Sequence, residues 1–286
     1  MPSLLLCARR VAALIAIAAL ASFAVSTQSR ADVPRHGAAG STATPSISAP
    51  TTAVEGTAFA VTVRVPRPRT ATTIVLQFHD WHNDEYDSTL KWTKKTSARV
   101  QGRGTVVFHV RADDAREAWF RAVIAYTGTT RRATSVARRV NYQHWFPLSS
   151  FSRYYDAGDA IDLESFQMAG RAWNGWFADG SAGESRYTLG SACVRIRATI
   201  GVTDSSSDGA TGKITLATIA PGGTATTFYT SPTLVAGKTV SINRVLASPY
   251  RFSIIGQDTT PAVTDGSPQP RAYPAVGDPE FLCHFN

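Results

Sequence analysis

Apolar and polar side chains alternate one by one along most of this chain, and that period of two limits the fold more than any other feature. The alternation is clear in the segments 58–65 (AFAVTVRV), 72–78 (TTIVLQF) and 194–202 (VRIRATIGV). No segment sustains the apolar period of about 3.6 residues that is typical of an amphipathic helix. Side chains that alternate in this way line the two faces of a half-buried strand. The sequence therefore predicts an all-β protein.

The strand-like segments fall into two groups, which predict two β-sandwich domains. Residues 46–143 have the strand length and turn spacing of an immunoglobulin-like β-sandwich of about 100 residues. Residues 161–286 again consist of short alternating segments separated by Gly, Pro and Asp, which predicts a second sandwich or jelly roll. Residues 144–160 are expected to form a rigid aromatic connector, because Pro147 cannot donate a hydrogen bond inside a sheet.

The first 31 residues have the pattern of a secretion signal. Arg9 and Arg10 precede an apolar stretch at 11–25, and residues 29–31 (SRA) fit a small-x-small cleavage site. A membrane-spanning helix needs about 20 apolar residues, so the stretch is short for an uncleaved anchor, which is the alternative. Residues 32–45, rich in Gly, Ala, Ser, Thr and Pro, are expected to be a disordered linker. The mature protein is therefore expected to be secreted, with no membrane span after cleavage and with a location outside the cell or on its wall.

Two cysteines, Cys193 and Cys283, remain after such a cleavage. In an oxidising compartment, an isolated pair of this kind is typically one disulfide bond. The bond would close a loop of about 90 residues, which the chain-entropy description values at about 4–5 kcal/mol of stability. The alternative is a pair of free thiols.

Positive charge is concentrated in the first half of the mature chain. Residues 45–146 carry 15 Lys and Arg against 8 Asp and Glu, a net charge of +7, whereas residues 147–286 carry 10 against 12, a net charge of −2. A basic surface suits an anionic partner such as a cell-wall polymer; the alternative is an ordinary solvated surface. Nucleic acid is not an expected partner, because the chain is exported and carries no base-reading motif.

The order of short motifs in the second half resembles a known family. The motifs are SRYTLG at 185–190, IGVTD at 200–204, FYTSP at 228–232, LVAG at 234–237 and PYRFSI at 249–254. This order is similar to that of the NPCBM family of carbohydrate-binding modules, β-sandwich modules often appended to glycoside hydrolases. The whole arrangement also resembles secreted actinobacterial proteins in which an immunoglobulin-like domain precedes such a module. The resemblance implies a carbohydrate-binding function, with an extracellular glycan or cell-wall polysaccharide as the partner.

Sugar-binding modules usually stack an aromatic ring on a pyranose and hold its hydroxyl groups with amides and carboxylates. The candidate ligand-binding residues in the segment 173–186 are Trp173, Asn174, Trp176, Asp179, Glu184 and Arg186. Asn174 and Gly175 favour a turn, which would expose at least one of the flanking tryptophans. Tyr154 and Tyr155 could extend the platform. The alternative is that both tryptophans pack in the core or between domains.

A second candidate is a calcium loop at 204–209 (DSSSDG). Asp204, Ser206 and Asp208 place oxygen atoms at alternate positions, and Gly209 permits the sharp turn of such a loop. The bidentate Glu that usually closes the loop is replaced by Thr215. The alternative is a plain hairpin turn, for which Asp and Gly are ordinary residues. Apart from this possible calcium ion, no cofactor is expected.

The motifs of nucleophilic hydrolases, zinc proteases and nucleotide-binding enzymes are missing from the sequence. The acidic residues Asp156, Asp159, Asp162 and Glu164 are close in sequence, but a glycosidase needs two carboxylates across a cleft. The expected function is therefore non-catalytic carbohydrate binding. A structural or protein-interaction protein without sugar binding is the first alternative, and an unrecognised secreted hydrolase is the second.

Overall fold

The computed structural model describes residues 44–81 and 91–284, which are mostly strand, as the alternation predicts. The strands of the first half are β1 (Ser46–Ser48), β2 (Thr52–Val54), β3 (Ala58–Arg64), β4 (Ala71–Trp81), β5 (Thr93–Arg99), β6 (Thr105–Arg111), β7 (Glu117–Tyr126), β8 (Ala133–Thr134) and β9 (Arg138–Pro147). After a 3-10 helix at Leu148–Ser150, the strands of the second half are β10 (Ser152–Met168), β11 (Arg171–Thr188), β12 (Cys193–Val202), β13 (Thr211–Ile219), β14 (Ala225–Thr230), β15 (Leu234–Val235), β16 (Thr239–Val245), β17 (Arg251–Asp258) and β18 (Pro274–His284).

This architecture confirms the predicted all-β class. The proposed signal peptide at 1–31 and all but the last two residues of the proposed linker at 32–45 lie outside the described residues. Within the described residues, no helix has the length and apolarity needed to cross a membrane.

The first half closes around a core of its own. Strands β1, β3 and β6 form a small antiparallel sheet, while β4, β5 and β7 belong to the larger sheet. The inward members of the alternating pattern, such as Val61, Val63, Ile74 and Leu76, are fully buried together. Each sheet buries one face against the other, so the apolar residues of the alternating pattern fill the space between two packed sheets, as in a β-sandwich.

The second half has a separate core between two antiparallel layers. In one layer β18 lies between β12 and the first part of β11, and in the other β17 lies between β13 and the last part of β11. Trp176 and Val276 from the first layer pack with Leu216, Phe252 and Ile254 from the second. Strand β11 thus belongs to both layers, and it bends as it passes from one to the other.

The bend of β11 is shared by its hairpin partner β10. At this point Gly158 has a φ of +64° and lies against the β11 backbone, so that a Cβ atom there would come within 2.2 Å of the carbonyl oxygen of Ala182. A side chain at Gly158 would therefore clash with main-chain atoms, and glycine is required. The two strands of the hairpin can therefore bend together, because their backbones approach each other closely at Gly158.

The expected connector at 144–160 is mostly strand. Strand β9 pairs with β7 through residues 138–141 and with β18 through residues 143–147, and β10 starts at Ser152. Pro147 ends β9 rather than interrupting it, since a terminal residue need not donate to the ladder. Tyr142 of β9 is buried in the first core and Phe146 packs against the second. The connector is therefore a shared strand, while the domain boundaries stay a prediction.

The predicted disulfide is present. Cys193 on β12 and Cys283 on β18 lie directly opposite each other in the antiparallel pair, with their Cα atoms 3.9 Å apart, and both are buried. The bond joins residues 90 positions apart in the sequence. The bond therefore links the start of β12 to the end of β18, the last strand.

Candidate functional site

The segment that carries the candidate tryptophans is not a turn. Asn174 and Gly175 lie within β11 and pair with Ser165 and Glu164 of β10. The hairpin turns earlier, at Ala169 and Gly170, which have φ values of +52° and +71°. The expectation of an Asn-Gly turn at this place is therefore wrong, because the strands extend past it on both sides and the tighter turn lies five residues earlier.

Trp176 is a core residue with no exposed surface. Its ring packs on Gly256 of β17, where a Cβ atom would come within 2.9 Å of the indole. Its indole nitrogen donates a hydrogen bond of 2.8 Å to the hydroxyl of Ser185, which is also buried. Trp176 therefore has no ring face available for a sugar, and the sequence-based role given to it is wrong.

Trp173 is half-buried and is held by contacts on several sides. Its indole nitrogen donates to the carbonyl oxygen of Met168 at 3.1 Å, and the guanidinium of Arg171 lies 4.4 Å from the centre of its ring. A Cβ atom at Gly277 would come within 2.8 Å of the ring, so the indole rests on the β18 backbone. These contacts give Trp173 a packing role and leave it little surface for stacking.

Two further candidates, Asn174 and Asp179, are exposed at different places on β11. The side-chain oxygen of Asn174 accepts a hydrogen bond of 2.5 Å from Ser165, and its backbone N–H donates to Asp278 at 3.2 Å. Asp179 lies at the bend of the hairpin, beyond the residue that pairs with Ala160. The two residues therefore do not share a site with each other.

Glu184 and Arg186 are brought together by the structure. Arg186 donates through Nε to Oε1 of Glu184 at 2.5 Å and through Nη2 to Oε2 at 3.2 Å, and the Ser253 hydroxyl donates to Oε1 at 2.7 Å. Burial raises the pKa of Glu184, but the hydrogen bonds from Arg186 and Ser253 and the charge of Arg186 outweigh it, so the pKa lies below its ordinary value. The hydrogen bond to Glu184 raises the pKa of Arg186. The two residues form a fixed, charge-neutral pair.

Exposed aromatic rings gather beside this pair. Tyr154, Tyr155 and Tyr250 are 39%, 41% and 36% exposed, and they are the exposed aromatic side chains among the residues whose burial is described. The guanidinium of Arg186 lies 4.4 Å from the centre of the Tyr155 ring. That of Arg251 lies 4.2 Å from the Tyr154 ring and 5.1 Å from the Tyr250 ring. We call the surface formed by three tyrosines and two arginines the tyrosine face: Tyr154, Tyr155, Tyr250, Arg186 and Arg251.

A break in the β10 register explains how neighbouring tyrosines share one face. Arg153 pairs with Tyr187 of β11 and Tyr155 pairs with Arg186, so Tyr154 is an extra residue on β10. In a regular strand, consecutive side chains point to opposite faces. A bulge of one residue re-aims a side chain. Tyr154 and Tyr155 therefore both contact arginines that belong to the outer face of β11 and β17.

A pocket lies elsewhere, next to Asn174. It has a volume of about 520 Å³ and is lined by Pro147, Leu148, Ser149, Leu163, Asn174, Gly175, Asp278, Pro279 and Glu280. Leu163 and Asp278 have φ values of +58° and +44°, a region that residues other than glycine rarely occupy. Glu280 is held by Arg197 at 2.6 Å. The pocket offers acidic and amide groups beside apolar ones, but no aromatic ring lines it.

Of the carboxylates considered for a hydrolase, Asp162 has a buried side chain, whereas Asp156, Asp159 and Glu164 are exposed. The Asp162 side chain is 5% exposed, and Arg153 lies between it and Asp156, at 3.7 Å and 3.1 Å. Burial raises the pKa of Asp162, against the effects of Tyr187 and Arg153. Burial also raises the pKa of Tyr187, and Asp162 raises it further. Asp156 and Asp162 therefore share Arg153 as an ion-pair partner, and neither of them is a free carboxylate.

The candidate calcium loop is tied to the β10–β11 turn. One oxygen of Asp204 accepts from the N–H of Ala169 at 2.7 Å and the other from the N–H of Gly170 at 2.8 Å. The Ser206 hydroxyl accepts from the N–H of Tyr273 at 3.0 Å, while Asp208 is exposed. These contacts give Asp204 and Ser206 structural roles as acceptors, and calcium binding stays a prediction.

No protein-family model and no curated protein matches the chain. Solved structures that resemble it include a carbohydrate-binding module of the β-sandwich superfamily (9% identity, TM-score 0.31, covering 85% of this chain and 100% of the other). Isomalto-dextranase from Arthrobacter globiformis T6 is also similar, with 13% identity and a TM-score of 0.28, over 79% of this chain and 35% of the other. So is allantoicase from Saccharomyces cerevisiae, with 9% identity and a TM-score of 0.28, over 79% of this chain and 77% of the other. At TM-scores this low, none of these likenesses carries an argument about function, which has to come from the residues.

Proposed function

We propose that this chain is a secreted, non-catalytic carbohydrate-binding protein of the cell surface or cell wall, with the tyrosine face as its sugar platform. The observation that carries the proposal is the gathering of Tyr154, Tyr155 and Tyr250 on one surface. Soluble proteins rarely expose contiguous apolar patches, and an exposed cluster of aromatic side chains is typical of a binding surface.

The chemistry around the rings suits a sugar. The apolar face of a pyranose packs on an aromatic ring, while the ring's hydroxyl groups need directional hydrogen-bond partners. The pair of Glu184 and Arg186 is fixed by Ser253 next to Tyr155 and can supply such partners without first being ordered. When the side chains of a site are already ordered, the protein loses less conformational entropy on binding a ligand.

Secretion is part of the same proposal. The disulfide between Cys193 and Cys283 suits an oxidising compartment. The signal-like pattern at 1–31 supports export on the sequence alone. Detection of the mature chain outside the cell, with its N-terminus near Asp32, tests this part; retention of residues 1–31 would contradict it.

Binding to a glycan array and to insoluble cell-wall polysaccharides tests the function. We expect Tyr155→Ala and Tyr250→Ala each to bind about tenfold more weakly than the wild type, as a stacking contribution of about 1.4 kcal/mol implies. Val136→Ala, which trims a side chain that is 80% exposed in the first half, is the control and should bind normally. Leu163→Ala and Trp173→Phe show whether the pocket beside Asn174 or Trp173 binds the sugar instead.

A wild type that binds no glycan would contradict the proposal. The burial of Trp176 favours one alternative in that event, namely a sandwich that serves as a structural or protein-interaction module without a sugar site. Loss of binding in Leu163→Ala with normal binding in both tyrosine variants would move the site to the pocket.

A further inference from the structure

The charges of the tyrosine face are not balanced. Arg186 is neutralised by Glu184, which it contacts through two nitrogen atoms. Arg251 is absent from the ion pairs of the described residues. Its Nε is buried and makes no hydrogen bond. The face therefore presents one cation that the protein itself does not compensate.

The surroundings of Arg251 hold this cation in place. Its guanidinium lies 4.2 Å from the centre of the Tyr154 ring and 5.1 Å from that of Tyr250, and its backbone pairs with Thr188 on one side and Ile219 on the other. A guanidinium that rests on aromatic rings keeps its N–H donors in its own plane, where they match the two oxygens of a carboxylate. Arg251 is thus oriented before any ligand arrives.

We propose that the tyrosine face selects an acidic polysaccharide, in which the carboxylate of a uronic acid pairs with Arg251 while the sugar ring stacks on the tyrosines. This inference rests on the proposed carbohydrate-binding function and names the class of sugar. An ion pair inside an aromatic frame is stronger than one in open water, because the rings exclude solvent from one side of it.

The first half of the chain supports the same ligand class. Residues 45–146 carry a net charge of +7, which attracts a polyanion over a longer range than any single contact. That attraction is screened within about 8 Å at physiological salt, so it raises the rate of encounter more than it selects the sugar. We therefore expect Arg251 to be the residue that distinguishes an acidic polymer from a neutral one.

The experiment compares polygalacturonate oligosaccharides with the same oligosaccharides after chemical reduction of their carboxyl groups. Isothermal titration of the full mature chain at physiological salt should give at least tenfold tighter binding to the acidic form, the effect of one hydrogen-bonded charge pair. Arg251→Gln should bind both forms equally, at the strength with which the wild type binds the reduced form. Arg251→Lys, which keeps the charge but loses the planar fork, should fall in between.

Arg244→Gln is the matched control. Arg244 is also a cation beside a tyrosine, 5.1 Å from the ring of Tyr229, but it lies on β16. Its replacement removes the same charge from the protein and should leave the preference for the acidic form intact. The melting temperatures of both variants, measured before titration, show that each is folded.

The possible outcomes separate the inference from the function it rests on. Equal binding of acidic and reduced oligosaccharides by the wild type, with loss in Tyr155→Ala, would overturn the acidic ligand and leave carbohydrate binding standing. No binding of either form would overturn both. Equal loss of preference in Arg244→Gln would show that general charge selects the polymer. If dextran sulfate binds more tightly than polygalacturonate, the carboxylate proposed as the partner of Arg251 is wrong, and the acidic group is a sulfate ester.

Discussion

The hydroxyl of Ser185 accepts a hydrogen bond of 2.8 Å from the indole nitrogen of Trp176 and donates one of 2.6 Å to Asp156. Both Ser185 and Trp176 are fully buried, and both belong to β11, on either side of its bend. The contact therefore joins the part of β11 that lies in one layer to the part that lies in the other.

Replacing Ser185 with alanine should destabilise the second half of the protein. The substitution leaves the buried indole N–H without an acceptor, which costs about 1–3 kcal/mol. Urea unfolding followed by tryptophan fluorescence measures the change. Ser181→Ala, at an exposed position of the same strand, is the control and should change the free energy of unfolding by less than about 0.5 kcal/mol. An unchanged stability in Ser185→Ala would show that the indole finds another partner.

Removing the disulfide should have a larger effect. The double variant with Cys193→Ser and Cys283→Ser loses a constraint on a loop that spans 90 residues. Its free energy of unfolding should fall by about 2–5 kcal/mol, measured by urea unfolding. A reducing agent should destabilise the wild type and leave the double variant unaffected. If the reducing agent affects both proteins equally, its action does not pass through this bond.

The sequence was informative where one face of a strand is buried. The alternation in β3, β4 and β12 predicted both their strand character and their inward residues, such as Val61 and Ile200. It was uninformative for β10, whose side chains are exposed over most of the strand, because a strand with polar residues on both faces has no period to detect. That is why the start of the hairpin looked like a connector.

The site depended on contacts that a single segment does not reveal. Which tryptophan of β11 is buried follows from its register with β18, where Trp176 is opposite Val276. The tyrosine face needs a one-residue bulge at Tyr154 and the placement of β17 beside β11, which brings Arg251 from about 100 residues away. The sequence could supply Glu184 and Arg186 as candidates, since they lie close to Trp173 and Trp176 along the chain.

Asp162 should make the stability of the protein depend on pH in an unusual direction. Burial raises the pKa of its carboxyl above the ordinary value, so the folded chain keeps a proton that the unfolded chain has already released. Stability from this group is present below the unfolded pKa and is lost as the pH rises through the folded pKa. Asp162→Asn cannot ionise, so its stability relative to the wild type should increase between about pH 3 and pH 7.

Thermal unfolding of the two proteins across that pH range measures the effect of Asp162. Asp179→Asn, which removes one exposed negative charge from β11, gives the contribution of net charge alone and is subtracted. A difference between Asp162→Asn and the wild type that stays constant or decreases with rising pH would contradict the prediction, because it would mean that Arg153 fully compensates the buried charge.

Asp204 should stabilise the β10–β11 turn without calcium. Its two carboxylate oxygens accept the N–H groups of Ala169 and Gly170, so Asp204→Ala should lower the free energy of unfolding by about 1 kcal/mol. Because the carboxylate of Asp204 is already oriented by these two backbone donors, the melting temperature of the wild type should be the same with EDTA and with excess calcium, as measured by calorimetry. Asp208→Ala, at an exposed position of the same loop, should match the wild type in both conditions. A calcium-dependent rise in the melting temperature that Asp208→Ala abolishes would instead establish the calcium loop, with Asp204 exchanging its backbone partners for the ion.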